Sequence, residues 1–387
     1  MKKIKLSLIA IIAAGSCSIM SADTLAQALQ GGKVSGEVTA TYENRKVDTE
    51  LSKWSNYYNN TSYSVGSFAL KYETAQWNNL SLTSKVRMYS TLFEGGKNET
   101  HFQGKGDASE RFYDKDGSSQ ATDIEELFVT YKKNNVTVKA GRQFIATDWM
   151  NKTQDAVRVN ANYDNTSLEA IWSKKHGRVY SRDYRPVSEM NSSEGVYKIA
   201  LTQKLNENIS ITAYDFIAND VRDIMGGRAN FKYGDTSVRT HYAVNNDKQD
   251  STNDSSIIDL MVSTKIGDFS PYAGYVQIDK DAGFTHMAGE TIIPFEEGDQ
   301  MYLKNAKTYY VGVSKSFGKL SSTLLYGATS YDKGSNNFTQ EEATVWLGYP
   351  LTKDLKSNLG YTIVTNDSAD TDETDLKQVN LTLTYSF

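Results

Sequence analysis

The chain has 387 residues, a formal net charge of −5 and 39% hydrophobic residues. Its mean hydropathy is −0.53, and beyond the N-terminus no window approaches the roughly 20 apolar residues of a spanning helix, which excludes a helical membrane protein. The modest acidic balance argues against nucleic acid as a partner, and 25 Tyr with only 4 Pro favour strands joined by polar turns.

Residues 1–22 are predicted to be a secretory signal peptide. Three lysines lie within the first five residues, residues 6–14 form a short apolar core, and small residues end at Ala22. Cleavage after Ala22 removes three Lys and no acid, so the net charge moves from −5 to −8. The only Cys, Cys17, lies in "AAGSC", which weakly resembles a lipoprotein processing site without its usual Leu, so lipidation is the minor alternative.

The next residues, 23–32, are expected to be a short periplasmic lead-in, in which "DTLAQALQ" forms a short helix. From residue 33 to residue 387 apolar and polar residues alternate in segment after segment, which is the period of β-strands. In "KVSGEVTATY" Val34, Val38 and Tyr42 share one face and Glu37 lies on the other. The closing segment "VNLTLTYSF" alternates in the same way and ends on Phe387.

The predicted connections alternate in length. Short connections are expected at 132–135, 163–167, 204–208, 233–237, 266–270, 316–320 and 349–354, and long polar connections at 43–65, 92–121, 175–194, 280–302 and 366–375. The segment 156–174 is itself a hairpin, which brings the number of strands to eighteen, the even number that a bacterial barrel requires.

The two faces of these strands need two different environments. One face of each strand is apolar, while the other carries Lys, Arg, Glu, Thr and Asn, which cannot form a dry core. A closed cylinder with its apolar face in lipid satisfies all strands and leaves no edge exposed. The predicted fold is therefore an all-β, transmembrane antiparallel β-barrel over residues 33–387, with short periplasmic turns and long extracellular loops.

Aromatic residues on the apolar face recur at strand ends beside the short turns. They are Tyr131, Tyr163, Tyr233, Tyr349, Tyr385 and Phe387. Their shared face and shared end predict an aromatic girdle at the periplasmic interface. The alternative is that Tyr simply suits any strand.

The sequence resembles a known family at "ADTLAQALQGGKVSGEV" (22–38), "FALKYETA" (68–75), "VKAGRQFI" (138–145) and the terminal Phe. It is similar to the OprD-type superfamily of outer-membrane porins, a resemblance that covers most of the chain in layout. The resemblance implies an eighteen-stranded barrel, passive uptake of small solutes, inward-folded loops that narrow the channel, and a row of basic residues along its wall. Because the connection 146–155 is short, one of the longer connections, 92–121 or 280–302, is expected to serve as the constriction instead.

The alternation also predicts which charged side chains face the lumen. The basic set is Lys85, Arg87, Arg158, Lys198, Arg228 and Arg239, and the acidic set is Glu37, Glu73, Glu126 and Asp259. Facing sets of opposite sign create a transverse field that orders polar solutes. We expect the basic residues, above all Lys85, Arg87, Arg158, Arg228 and Arg239, to guide anions or carboxylate-bearing solutes. The alternative is that a wet lumen merely tolerates scattered charges.

No cofactor is expected, and Ca²⁺ is the weak candidate. The acidic loop "EEGDQ" offers Glu296, Glu297 and Asp299 as hard oxygen ligands, although a solvated loop explains them as well. No spacing of Ser and His indicates a hydrolase, so we predict no enzyme.

The sequence therefore predicts a porin in the outer membrane of a Gram-negative bacterium, which diffuses small hydrophilic solutes and ions. The alternative is an adhesin or structural barrel with a blocked lumen. Expected partners are outer-membrane lipid and lipopolysaccharide, small polar solutes and, during biogenesis, the barrel-assembly machinery. The resemblance also permits a homotrimer. The last strand should close the barrel against the first.

Overall fold

The structure, a computed structural model, describes residues 22–51, 59–95, 106–114 and 119–387. All of the predicted signal peptide except Ala22 lies outside these residues and stays a prediction. The predicted lead-in contains the helix α1 (Leu25–Gln30). The Thr24 hydroxyl accepts a hydrogen bond from the Gln27 backbone N–H, and the Gln27 side chain accepts one from the Thr24 N–H. This reciprocal capping explains why the helix begins at this position.

Antiparallel strands make up most of the described chain, and consecutive barrel strands pair with each other. They are β1 (Lys33–Val47), β2 (Thr61–Glu73), β3 (Leu80–Glu94), β4 (Ala121–Lys133), β5 (Val136–Thr147), β6 (Met150–Tyr163), β7 (Thr166–Tyr180), β8 (Asp183–Glu189), β9 (Val196–Lys204), β10 (Ile209–Ala218), β11 (Arg222–Tyr233), β12 (Thr236–Asp247), β13 (Ser255–Ser263), β14 (Phe269–Ile278), β15 (Lys307–Phe317), β16 (Leu320–Lys333), β17 (Asn336–Pro350), β18 (Leu355–Asn366) and β19 (Leu376–Ser386).

Eighteen of these strands form a closed ring, as predicted. The last strand β19 pairs with the first strand β1, with Tyr385 opposite Val38, so the expected closure is confirmed. The extra strand is β8. It pairs with the outer end of β7, where Tyr184 lies opposite Val179, while β9 pairs directly with an earlier part of β7.

The segment 175–194 was predicted to be a polar loop, and that prediction was wrong. Strand β7 continues to Tyr180, turns at residues 181–182 and returns as β8. The continuation is favoured because the strand pattern of β7 runs on through Val179 and Tyr180, and the backbone groups of β8 are satisfied by pairing with β7.

The expected separation of faces is present in the barrel wall. On β1 the outward residues Val34, Val38 and Tyr42 are exposed, whereas the alternate residues Thr39 and Thr41 are buried. Strand β1 thus presents apolar side chains outside and polar side chains inside. Among the described residues, no helix is both long enough and apolar enough to cross a membrane.

The connections also follow the predicted alternation. On one rim the strands are joined by tight turns such as residues 134–135, 164–165, 234–235 and 318–319, and on the other rim most connections are longer. One exception is the predicted loop 146–155. Here β5 and β6 extend toward each other and leave only Asp148 and Trp149 as the turn.

Candidate channel constriction

The β5–β6 hairpin leaves the wall and bends into the barrel. Strand β5 pairs with β4 only as far as Arg142, which lies opposite Leu127. Just before this point Gly141 has a φ of 127°, and a Cβ added there would lie 2.2 Å from the Leu127 carbonyl oxygen. Only glycine tolerates this combination, so Gly141 marks where β5 departs from β4, while β6 stays paired with β7 as far as Thr153.

The tip of this hairpin docks against distant strands. Trp149 is fully buried, and its indole N–H donates to the Tyr214 hydroxyl on β10 at 2.7 Å. That hydroxyl also lies 2.6 Å from His241 Nε2 on β12. The neighbouring Asp148 accepts a 2.8 Å hydrogen bond from Arg228 on β11. The short connection therefore does fold inward, contrary to the expectation that only the longer loops would narrow the lumen.

The long connection between β14 and β15, residues 279–306, crosses the lumen as well. The Phe284 ring packs against Trp149 at a tilt, with centroids 4.7 Å apart, and the Thr291 hydroxyl accepts a hydrogen bond from the backbone N–H of Trp149 at 2.6 Å. Farther along, the backbone N–H groups of residues 296–298 donate to the Glu342 carboxylate on the inner face of β17, at 2.6 to 2.8 Å. This connection is thus tied to the hairpin at one end and to the opposite wall at the other.

The β3–β4 connection contributes a third inward segment, residues 106–114. Its Phe112 is buried against the aromatic rings of Tyr63 on β2 and Tyr89 on β3. The Tyr184 N–H of β8 donates to the Arg111 carbonyl at 2.7 Å, so the extra strand holds this segment in place. The two longer connections named as candidate constrictions, 92–121 and 280–302, both fold inward where the structure describes them.

A buried ion-pair network joins these segments to the wall. Arg45 on β1 lies 2.5 Å from Glu110 and 3.1 Å from Glu297. Arg111 lies 2.8 Å from Glu43 and 2.5 Å from Glu297. Because Glu297 comes from the β14–β15 connection and both Glu110 and Arg111 from the β3–β4 connection, the network holds the two connections together on the face of β1.

Burial strongly affects the pKa values of Glu110 and Arg111 in this network. It raises the pKa of the Glu110 carboxyl to about 7, against the opposing effect of Arg45. Burial also lowers the pKa of Arg111, but Glu43 and Glu297 outweigh that effect and hold the pKa well above its ordinary value. The arginine stays charged, whereas a pKa of about 7 lets Glu110 take up a proton near neutral pH.

All six predicted basic residues lie on the inner side, and each forms an ion pair. The pairs are Lys85–Glu125, Arg87–Glu37, Arg158–Glu169, Lys198–Glu169, Arg228–Asp148 and Arg239–Asp259. Five of them fall into two groups by exposure, and Lys85 lies between these groups at 18%. The side chains of Arg158, Arg228 and Arg239 are 25%, 31% and 35% exposed, whereas those of Arg87 and Lys198 are 1% and 0% exposed.

The predicted acidic residues also lie beside bases. Glu37 contacts Arg87, and Asp259 lies 3.0 Å from Arg239. Glu73 and Glu126 lie 3.3 and 3.8 Å from Lys71, near the short-turn rim. The lumen therefore carries paired charges along its wall rather than two separated sets.

Several residues of the site were missed in the sequence. Glu125 bonds to both Lys85 and Arg87 because a bulge at β4 turns two consecutive residues inward, which strict alternation cannot show. Arg45 was assigned to the loop 43–65, although continuing the alternation of β1 from Thr39 and Thr41 would have placed it inside. No pattern in the sequence pointed to Trp149.

The six girdle residues are all exposed and lie beside the short turns or at the chain end. This is true of Tyr131, Tyr163, Tyr233, Tyr349, Tyr385 and Phe387. Their placement has the geometry of a girdle, and its role at the membrane interface stays a prediction.

The proposed Ca²⁺ ligands face other partners. Glu297 lies between Arg45 and Arg111, Glu296 lies 3.5 Å from Arg182, and Asp299 accepts a hydrogen bond from the Gln300 amide. The described part of the chain contains no group of three or more metal-ligating side chains. Ca²⁺ binding at this loop stays a prediction.

Comparison with known families decides what this barrel is. A family model described as Gram-negative porin matches residues 7–369. The chain belongs to the Gram-negative porin family. The barrel is accordingly an outer-membrane channel for the diffusion of small solutes, and nothing in the comparisons supports the adhesin alternative. Family and fold point to a channel rather than to an enzyme.

Solved structures agree on the fold of this porin. The Pseudomonas aeruginosa protein OccK3 (OpdO) aligns with a TM-score of 0.74 at 14% identity, covering 94% of this chain and 97% of that one. Acinetobacter baumannii OccAB4 aligns with a TM-score of 0.76 at 14% identity, covering 92% and 98%. Pseudomonas aeruginosa OpdK, solved with vanillate, aligns with a TM-score of 0.74 at 16% identity, covering 93% and 99%. At these identities the neighbours show that the chain shares their barrel fold. Comparison with curated proteins gives no match.

Proposed function

We propose that the three inward segments form a charged eyelet that sets which small hydrophilic solutes pass through this porin. The main support is the ion-pair network in which Glu297 bonds to Arg45 and Arg111, because it holds two connections across the lumen at a defined place. A charged constriction of fixed shape can select by size and by charge together.

Conductance of the purified protein in planar lipid bilayers tests the channel itself. We expect steady, open conductance in KCl, because the inner face of the wall carries partly exposed charged side chains that suit a water-filled lumen. A heat-denatured sample of the same preparation is the control for leakage from detergent. Silence of the folded protein would support the blocked barrel instead.

We further propose that the exposed arginines of the inner wall guide anions or carboxylate-bearing solutes. Arg158, Arg228 and Arg239 keep a quarter to a third of their side chains exposed although each has a carboxylate partner. Their guanidinium groups retain N–H donors that a passing carboxylate can accept. Arg87 and Lys198 are too deeply buried to do so, and we assign them to holding the wall together. The vanillate in the OpdK structure is a carboxylate of the proposed class.

Arg158→Ala should shift the ion preference toward cations, since it exposes the carboxylate of Glu169 and removes donors for anions. The reversal potential in a KCl gradient measures this shift. Glu169→Gln is the matched change and should shift the preference toward anions.

The double variant Arg158→Ala with Glu169→Gln separates two explanations. If the guanidinium itself guides anions, the double variant also loses anion preference. A reversal potential equal to that of the unchanged protein would mean that only net charge matters, and the proposed track would be wrong.

We also propose the partners expected from the sequence: lipopolysaccharide in the outer leaflet, the barrel-assembly machinery during biogenesis, and association as a homotrimer. The support is the exposed apolar wall, which suits a neighbouring subunit as well as lipid. Crosslinking of the protein in intact outer membranes tests the trimer.

A further inference from the structure

The helix α1 exposes two leucines that the barrel does not cover. Leu25 and Leu29 are 54% and 47% exposed, whereas Ala28 is 2% exposed. Residues four apart lie on the same side of a helix, so the two leucines form one flank. Gln27 and Gln30, also exposed, point to the other flank. The helix thus has a protein side, an apolar side and a polar side.

Contacts of α1 place it at the outer edge of the short-turn rim. The Ala75 N–H, just after β2, donates to the Ala28 carbonyl at 3.1 Å. The Tyr72 hydroxyl donates to the Leu29 carbonyl. Tyr72 shares its face of β2 with Leu70, which is an exposed residue of the outer wall. The C-terminal end of the helix therefore lies beside the outside of the barrel and not beside its lumen.

The outer wall near α1 also carries aromatic side chains. Phe387 stacks on Phe68 of β2, with ring centroids 6.4 Å apart, and on Tyr385 of β19, with centroids 6.3 Å apart. Two residues after Gln30, a Cβ on Gly32 would lie 2.4 Å from the Tyr72 hydroxyl. Because the backbone at Leu29 and Gly32 contacts Tyr72 closely, the helix adjoins the apolar outer surface of β2.

We propose that α1 is an interfacial anchor. It lies along the periplasmic surface of the outer membrane, with Leu25 and Leu29 inserted among the lipid chains and the glutamines in the headgroup layer. The occupant of its apolar flank is phospholipid, because that flank continues the surface that the porin already turns to lipid. The helix sequence LAQALQ contains no charged residue, so no charge is buried when it lies in the interface.

Spin labelling tests this orientation in the protein without residues 1–22, which removes the only Cys, Cys17. Leu25→Cys, Leu29→Cys and the matched control Gln30→Cys each receive a nitroxide, and the proteins are reconstituted into phospholipid vesicles. Gln30 is the control because it is exposed on the polar flank and does not cap the helix. Collision rates are measured with oxygen, which concentrates in lipid, and with a water-soluble nickel chelate. At positions 25 and 29 we expect the ratio of oxygen to nickel collisions to exceed that at position 30 several-fold.

The alternatives give different results. Equal nickel access at all three positions would place the helix in water and overturn the proposal. Dipolar broadening at positions 25 and 29, lost on dilution with unlabelled protein, would show that a second copy of the chain covers the leucines, and would overturn it as well. Conductance of the labelled proteins shows that each barrel is folded and reports on the channel independently of α1.

Discussion

Glu342→Gln should make the channel wider and noisier. The Glu342 carboxylate accepts three backbone N–H groups from residues 296–298 and the Thr344 hydroxyl, all at 2.6 to 2.8 Å. Hydrogen bonds to a charged group are worth about 1.5–3 kcal/mol each. The amide of Gln turns an N–H₂ group toward N–H donors, so we expect docking to weaken by about 3 kcal/mol. At about 1.4 kcal/mol per tenfold change, the undocked population should rise roughly 100-fold.

Single-channel recording measures this effect as more frequent excursions to a larger conductance level. Glu341→Gln is the matched control, because Glu341 precedes Glu342 in β17 but faces outward, where it accepts a hydrogen bond from Tyr326. Passage of larger sugars into vesicles that contain the protein should increase for Glu342→Gln alone. If the two variants gave the same recordings, the β14–β15 connection would not be the constriction.

The barrel itself could be predicted from the sequence because its physical cause is repeated in every strand. Each strand must present an apolar face to lipid and a polar face to water, so the period of two recurs throughout and fixes both the strand count and the faces. The closure of β19 on β1 followed from the same pattern. The extra strand β8 was missed because it lies off the ring, where neither face needs to be apolar.

The constriction could not be predicted in the same way. Its contacts join residues far apart in the chain, such as Arg45 with Glu297 and Asp148 with Arg228, and no local period records them. The short length of the connection 146–155 was also misleading, because it suggested that this connection would not narrow the lumen. The inward bend of β5–β6 depends on the backbone conformation at Gly141 rather than on the number of loop residues. The alternation predicts which charged side chains face inward, but their pairing depends on neighbouring strands and on bulges such as that at Glu125.

Deletion of Phe387 should impair assembly of the barrel far more than it changes conductance. The backbone of Phe387 donates to the Gly36 carbonyl at 3.0 Å and accepts from the Gly36 N–H at 2.9 Å. Its ring packs over Gly36 and against Phe68. Phe387 thus closes the seam between the last strand and the first two strands at the periplasmic rim. A barrel with an unsealed seam exposes strand edges, which favours aggregation over insertion.

Phe317→Ala is the matched control for this deletion. Phe317 is also an exposed Phe at the end of a strand beside a short turn, but it lies in the middle of the wall between β15 and β16 rather than at the seam. We expect the amount of folded protein in the outer membrane to fall at least several-fold for the Phe387 deletion and little for Phe317→Ala. Molecules that do insert should conduct normally, because Phe387 lies outside the lumen. Normal surface levels of the truncated protein would show that the other backbone pairs between β1 and β19 are enough to close the barrel.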